Sequence, residues 1–409
     1  MVIYYLLKVI SPIINFRFLM IETRAIGHMS EPIEIYLQEK KLENKKKNVI
    51  DIYFREKRVA NHYLWEKWRQ ALGIKINDDL SRMFLEPVFR YIVKKRDKKM
   101  LVPFRHASDI WYHNIDNEYN DRNVIKKKEF DYEWQQYDTK NLLETSSPTI
   151  KFSTVEKDFA YKKLKKKNIS KNDNIILLIV RDPAYSNFLY PDRASSELSN
   201  RDNDIDDFIG LVQYLCEKNY KVIRMGRVMS NELKYKHNNF FDYAFSDFKD
   251  DFFDIFLFNI SKFVISTGSG LDAVASLFRK KILYLNYGEM SALNYQLNFN
   301  ISFIYPKKII DSEKNKELGI FDLFKYGINR FNNIEHYKKK NIILKTLSAN
   351  QMINATIEME EYLKNKYSDS SLEANREINN LLQEAYGFEN KFYWSRDYLD
   401  LEINKNINY

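Results

Sequence analysis

The chain has 409 residues, 44% of them hydrophobic and 15% aromatic, which is enough for two domains with real cores and excludes a disordered protein. Its formal net charge of +9 points to anionic partners, yet the lysine runs (Lys45 to Lys47, Lys162 to Lys167, Lys338 to Lys340) are scattered among acids and read as solvated surface. A single cysteine, Cys216, excludes an internal disulfide and any zinc site built from several thiolates; it sits on an apolar helical face and fits a reducing cytoplasm.

The first 21 residues are apolar apart from Lys8, Ser11, Asn15 and Arg17. Pro12 interrupts them, so they are too broken for a membrane span, and no small-residue cleavage site follows. Residues 2–11 read as a short apolar helix or surface-anchoring segment, and residues 1–15 as a candidate contact with an anionic membrane. Phe16 to Ile21 reads as a first strand. Ser30 is placed to cap a helix, with Pro32 in its first turn and Ile33, Tyr36 and Leu37 as its buried stripe. Asn48 to Phe54 is a second strand, and residues 60–72 form an aromatic helix through Tyr63, Leu64, Trp65 and Trp68. The pattern blurs over residues 75–150. The polar, lysine-rich stretch 138–172 is the expected linker.

Beyond it the periodicity is plain. Ile175 to Val180 is a continuous apolar strand. Ile205, Phe208, Ile209, Val212, Leu215 and Cys216 follow helical spacing, and Lys221 to Met225 is a strand closed by Gly226. A helix over 252–260, a strand over Phe263 to Ser266 and a strand over Ile282 to Asn286 come next. Alternating strands and helices predict a parallel, doubly wound sheet, in which ligands bind beyond the carboxyl ends of the strands. Helices near 348–366 and 371–386 close the chain and are expected to pack back across the first domain.

The chemistry gathers at those carboxyl ends. Ser266-Thr267-Gly268-Ser269-Gly270 joins a buried strand to a helix, in a chain with only 10 glycines. Such a turn frees backbone N–H groups and hydroxyls for a phosphate. It also reads as a plain tight turn with Asp272 favouring the helix dipole. Arg181 and Arg224 end two neighbouring strands and, with Gly226 and this loop, form a candidate diphosphate site. Ion pairs are the alternatives: Arg181 with Asp182 or Asp204, and Arg224 with Asp242 or Asp247. The chain lacks G-x-x-x-x-G-K-[ST] and has no G-x-G-x-x-G after its first strand, which excludes a P-loop NTPase and argues against a dinucleotide oxidoreductase. No nucleic-acid motif is present, so no nucleic-acid partner is expected.

Six blocks carry a resemblance. They are Arg24-Ala25-Ile26-Gly27-His28-Met29, Leu178 to Tyr185, Arg201 to Ile205, Tyr220 to Gly226, Asp242-Tyr243-Ala244 and Ser266 to Asp272. In this order, over roughly residues 15–345, the chain resembles a group of bacterial surface-polysaccharide glycosyltransferases of GT-B type. More distantly it is similar to the fucosyltransferase-like branch. Met29 stands where the group often has Leu.

The resemblance implies an α/β fold of two Rossmann-like domains facing a cleft. The acceptor domain would cover 1–165 and the nucleotide-sugar donor domain 172–345, with C-terminal helices over 346–409. It implies hexosyl or deoxyhexosyl transfer to a growing glycan or lipid-linked glycan at the inner face of the cytoplasmic membrane. It adds Asp182, Tyr185 and Tyr243 to the donor-binding set of Arg181, Arg224, Gly226, Ser266, Thr267, Gly268, Ser269, Gly270 and Asp272. Arg24 and Gly27 fall on the acceptor side. His28 becomes the expected base, with Glu31 and Glu34 as alternatives and Arg181 facing the leaving diphosphate. Neither a Glu-x7-Glu donor motif nor an Asp-x-Asp pair at a strand end is present, which tilts the expectation to inverting, metal-independent transfer. Asn203-Asp204-Ile205-Asp206 reads as helix capping, and no cofactor is expected. A nucleotide-sugar epimerase of the same architecture and a non-catalytic glycan or anionic-surface binding protein are the competing readings.

Overall fold

The computed structural model describes residues 2–43, 48–104, 138, 140–189, 200–288, 290, 302–328, 334–386 and 392–400. The chain divides into two compact units, Met1–Lys151 and Phe152–Tyr409. The boundary falls inside the expected linker. Ser153 caps helix Thr154–Leu164 through a reciprocal Ser–Glu156 box, while Phe152 stacks on Phe278 and meets Phe256 edge-on.

In the first unit, strands β1 (Asn15–Ile21) and β2 (Val49–Arg55) pair in parallel, with helix Ile26–Leu42 between them in the chain. Phe18 also bridges to Leu101. Among the described residues this two-stranded sheet is all the strand structure of the unit. Phe18, Phe54, Val88, Phe89, Ile92 and Met100 form its core cluster. Helix Ile26–Leu42 starts five residues earlier than the sequence predicts, with Ala25 and not Ser30 at its N-cap. Ser30 lies inside it, its hydroxyl donating to the Ile26 carbonyl, and Pro32 is accommodated two residues further on.

The second unit is built on a seven-stranded, wholly parallel sheet. Its strands are β3 (Ile175–Ile179), β4 (Lys221–Arg224), β5 (Phe240–Asp242), β6 (Phe263–Ser266), β7 (Ile282–Tyr287), β8 (Phe303–Pro306) and β12 (Tyr393–Trp394). A small antiparallel sheet comprises β9 (Lys308–Asp311), β10 (Lys316–Leu318) and β11 (Ile342–Lys345). Every residue of β3, β6, β7 and β8 is buried, as a parallel sheet covered on both faces requires. Each fully buried Ile, Leu or Val there contributes about 1.5–3 kcal/mol.

Helix Phe253–Ile260 packs against β3. Helix Ile209–Glu217 packs on β4, and helix Ala349–Leu363 packs on that helix and on β7 and β8. These contacts of helix Ala349–Leu363 lie with the sheet of its own unit. Cys216 is buried in helix Ile209–Glu217, and burial pushes its thiol up to about 11, as befits a core residue. Among the described residues no helix is long and apolar enough to cross a membrane, and no three His, Cys, Asp or Glu cluster as metal ligands.

Candidate functional site

The spatial order of the large sheet is β12-β8-β7-β6-β3-β4-β5. From β3 the chain moves out through β4 and β5; with β6 it returns to the other side of β3 and moves out through β7 and β8. The connections therefore diverge between β3 and β6, and a crevice at the carboxyl ends of such a strand pair is where doubly wound sheets place ligands. The residues leaving these two strands are Arg181 and the Gly loop. They are held side by side: the Thr267 N–H donates to the Ile179 carbonyl at 3.0 Å, and the Arg181 N–H donates to Thr267 Oγ1 at 2.9 Å.

The Gly loop is closed on itself. Ser266 Oγ donates to Asp272 Oδ1 at 2.6 Å and accepts the Gly268 N–H at 3.1 Å. The Ser269 N–H donates to Asp272 Oδ2 at 2.8 Å, and the Leu271 N–H to Ser269 Oγ at 3.1 Å. Three of the backbone donors that the sequence offers to a phosphate are thus taken by side chains of the loop. The helix that follows, Asp272–Leu277, has only 6 residues. Gly268 has φ +95°, and a Cβ there would stand 2.8 Å from the Tyr287 ring. Ser266 and Thr267 are buried, Ser269 is half-buried and Gly270 is exposed. Burial pushes the Asp272 carboxyl up to about 6, against the hydrogen bonds from Ser266 and Ser269 and the charge of Arg201.

Residues 200–203 run over the same edge. The Asn203 N–H donates to the Arg181 carbonyl, Asn200 Nδ2 to the Gly288 carbonyl after β7, and Lys307 Nζ after β8 to the Asp202 carbonyl at 2.7 Å. Gly288 is required here, since a Cβ on it would collide with the Asn200 carbonyl. Arg181 Nε pairs with Asp202 Oδ1 at 3.3 Å, a partner outside the two carboxylates the sequence offered. Burial raises the Asp202 carboxyl, opposed by Arg181 and Lys307, and lowers the Lys307 amine to about 8. Arg181, Arg201 and Lys307 therefore meet Asp202 and Asp272 at one edge, with Asp182 next to Arg181 and Asp207 acting on Lys307.

The other candidates at this end of the sheet are internal. Arg224 is 0% exposed; its Nη1 pairs with Asp242 Oδ2 at 3.0 Å and donates to the Asn231 carbonyl, and its guanidinium lies over Phe245. That is the ion-pair alternative the sequence offered, and it ties β4 to β5, while Nε and Nη2 of Arg224 make no hydrogen bond among the described residues. Tyr243 is likewise fully buried, its hydroxyl donating to Asp254 at 2.7 Å. Gly226 is buried just after β4. Asp182 accepts from the N–H groups of Ala184 and Ser230, joining the loops after β3 and β4. Tyr185 is half-buried in helix Ala184–Leu189.

In the first unit, His28 lies in the first turn of helix Ile26–Leu42, and its imidazole is 42% exposed with Nδ1 3.7 Å from Glu22 Oε2. Glu22 also accepts from Arg24 Nε at 2.9 Å, and the Arg24 N–H donates to Glu56. Gly27 occupies the same helical turn. Glu31 is buried. Glu34 is fully buried and accepts from Gln38 and from the Thr149 N–H, which makes it a structural anchor.

The sequence does not single out Glu22, Lys307 or Gly288, and it marks Asp202 only as part of the Arg201 to Ile205 block. Glu22 and Lys307 carry the one signal available, a charged residue directly after an apolar strand run. No family model matches the chain, nor does a curated protein or a solved structure.

Proposed function

We propose that this chain is a glycosyltransferase that takes a nucleotide-sugar donor at the β3–β6 reversal of its second unit. The observation that carries the reading is that Arg181 and the Gly loop leave the two neighbouring strands between which the connections diverge. Three cations gathered there, Arg181, Arg201 and Lys307, are groups suited to a diphosphate. The six sequence blocks supply the class of chemistry: sugar transfer to a glycan or lipid-linked glycan, inverting and without a catalytic metal. Arg181 stabilises the leaving diphosphate. His28, oriented by Glu22, is the group suited to accept a proton from an acceptor hydroxyl.

The test is a thermal-shift screen of the full chain with uridine, guanosine, cytidine, adenosine and thymidine diphosphates. One of them should stabilise the fold, by about 2.7 kcal/mol at a hundredfold excess over its Kd. The corresponding nucleotide sugar should then release diphosphate only with an acceptor present. Conversion of the donor alone to an epimer would indicate an epimerase, and stabilisation by none of the five would remove the reading.

A further inference from the structure

Helix Val2–Ile10 carries a single charged residue, Lys8. Its inner side is accounted for: Tyr4 is buried in the core cluster of the first unit, and Leu7 packs against it. Its outer side is not polar, as that of a surface helix normally is. Val2, Ile3, Leu6, Val9, Ile10 and Ile13 stand out of the protein, Leu6 at 61% and Val9 at 77% exposure. Positions 2, 6 and 9 repeat at helical spacing, so they share one stripe, and Ile13 stands out of the turn that follows the helix.

A second apolar stripe lies on the helix packed against this one. On helix Asp78–Lys94, Leu80, Met83 and Phe84 are exposed, Phe84 at 62%. That helix meets Val2–Ile10 through Tyr91, whose ring packs on Tyr4 and Tyr5 and whose hydroxyl lies 3.4 Å from that of Tyr5. Tyr91 thus joins the two helices at a pair of amphipathic rings.

The charge around this face is mostly positive. Lys94, Lys95, Arg96, Lys98 and Lys99 are all exposed. The carboxylate among them, Asp97, is held by Tyr4 and Lys8. Glu86 is paired with Arg90, and Asp79 with Arg82. Apolar stripes, tyrosines and a lysine-rich rim are the composition of a segment that lies in a lipid headgroup layer, its apolar side towards the acyl chains and its cations among anionic headgroups.

We infer that the face formed by helix Val2–Ile10 and the outer stripe of helix Asp78–Lys94 seats on an anionic lipid bilayer, as an interfacial contact and not a span. The inference stands apart from the nucleotide site. Its test is co-sedimentation of the full chain with vesicles of phosphatidylcholine alone and of equal parts phosphatidylcholine and phosphatidylglycerol. The wild type should bind the mixed vesicles and not the neutral ones. Leu6→Asp with Val9→Asp, both at outward positions, should weaken that binding about tenfold or more with an unchanged circular dichroism spectrum. Lys98→Glu with Lys99→Glu should weaken it by a similar factor through charge alone, and added salt should mimic that pair. Failure of the wild type to bind, equal binding to both vesicles, or undiminished binding by either double variant would overturn the inference. So would self-association of the wild type, abolished by Leu6→Asp with Val9→Asp, in a chain that ignores vesicles: that outcome gives the face to a second copy.

Discussion

The hydroxyl of Ser266, the last residue of β6, donates at 2.6 Å to the carboxylate of Asp272, the first residue of the next helix. This bond closes the Gly loop around a carboxylate instead of leaving it open as a cradle of N–H groups. Anion attraction at the edge then has to come from Arg181, Arg201 and Lys307, while the loop supplies shape and a rigid neighbour for Arg181. The division matters because a buried carboxylate opposes a phosphate electrostatically whenever it is ionised.

Asp272 should therefore write itself into the pH dependence of stability. Its carboxyl is raised by burial to about 6, so the folded chain holds this proton more tightly than the unfolded chain. Such a group contributes stability that is full below the unfolded value of about 4 and is lost as pH rises through the folded value near 6. Asp272→Asn should flatten that part of the profile, by up to on the order of 3 kcal/mol between pH 4 and pH 7. Denaturant melts across that interval measure it, and parallel profiles for the two proteins would refute the assignment.

Two glycines at this edge should be intolerant for different reasons. Gly268→Ala meets both a positive φ of +95° and the Tyr287 ring, whereas Gly288→Ala meets the Asn200 backbone. Each should cost about 1–3 kcal/mol. Tyr287→Leu, which makes room beside residue 268, should restore only part of the Gly268→Ala loss, because the backbone strain remains. Full restoration would show that crowding alone sets the cost. Neither glycine variant is a clean probe of ligand binding, since both disturb the fold.

Much of this was legible from local pattern. β3, β4, β6 and β7 announce themselves as apolar runs because a parallel sheet buries both faces of its central strands. β5, β8 and β12 do not: β12 has two residues, and its pairing with β8 is decided by the packing of distant segments. The strand order is invisible for the same reason. At the site, the sequence places Arg181 and the Gly loop at one sheet edge but cannot tell a part-exposed guanidinium on Asp202 from a fully buried one on Asp242. Both arginines end apolar strands, and only tertiary neighbours separate them. The role of Gly288 is equally hidden, since what it avoids is a carbonyl 88 residues away in sequence.

On the proposed reading, His28 and Glu22 act as a pair. Glu22→Gln removes the carboxylate 3.7 Å from the imidazole while keeping the shape, so it should lower kcat by about tenfold or more at neutral pH. His28→Gln should lose about a hundredfold or more in kcat with little change in donor affinity. The readout is initial rate against donor concentration on one donor and acceptor pair. Unchanged kcat in Glu22→Gln would leave His28 without its orienting partner, and near-wild-type turnover in His28→Gln would remove the base assignment.

The sharpest contrast lies between Arg181 and Arg224, which look alike in sequence. Arg224 is a buried cation against Asp242, and truncating it leaves that carboxylate in the interior with the Leu233 N–H as a remaining donor. Arg224→Ala should therefore cost about 3–5 kcal/mol of stability and lower nucleotide binding only in step with the folded fraction. Arg181 sits half-buried at the edge, and its loss leaves Asp202, already raised by burial, free to take a proton. Arg181→Ala should cost only about 1 kcal/mol of stability. It should remove a charge-assisted contact worth about 1.5–3 kcal/mol, an affinity loss of about 10- to 150-fold for the nucleoside diphosphate. Circular dichroism and titration calorimetry on the same samples separate the two effects. A folded Arg181→Ala protein that bound nucleotide as tightly as the wild type would take the diphosphate away from the β3–β6 edge. A fully stable Arg224→Ala protein with weakened nucleotide binding would return the site to the end of β4, where the buried ion pair with Asp242 now argues against it.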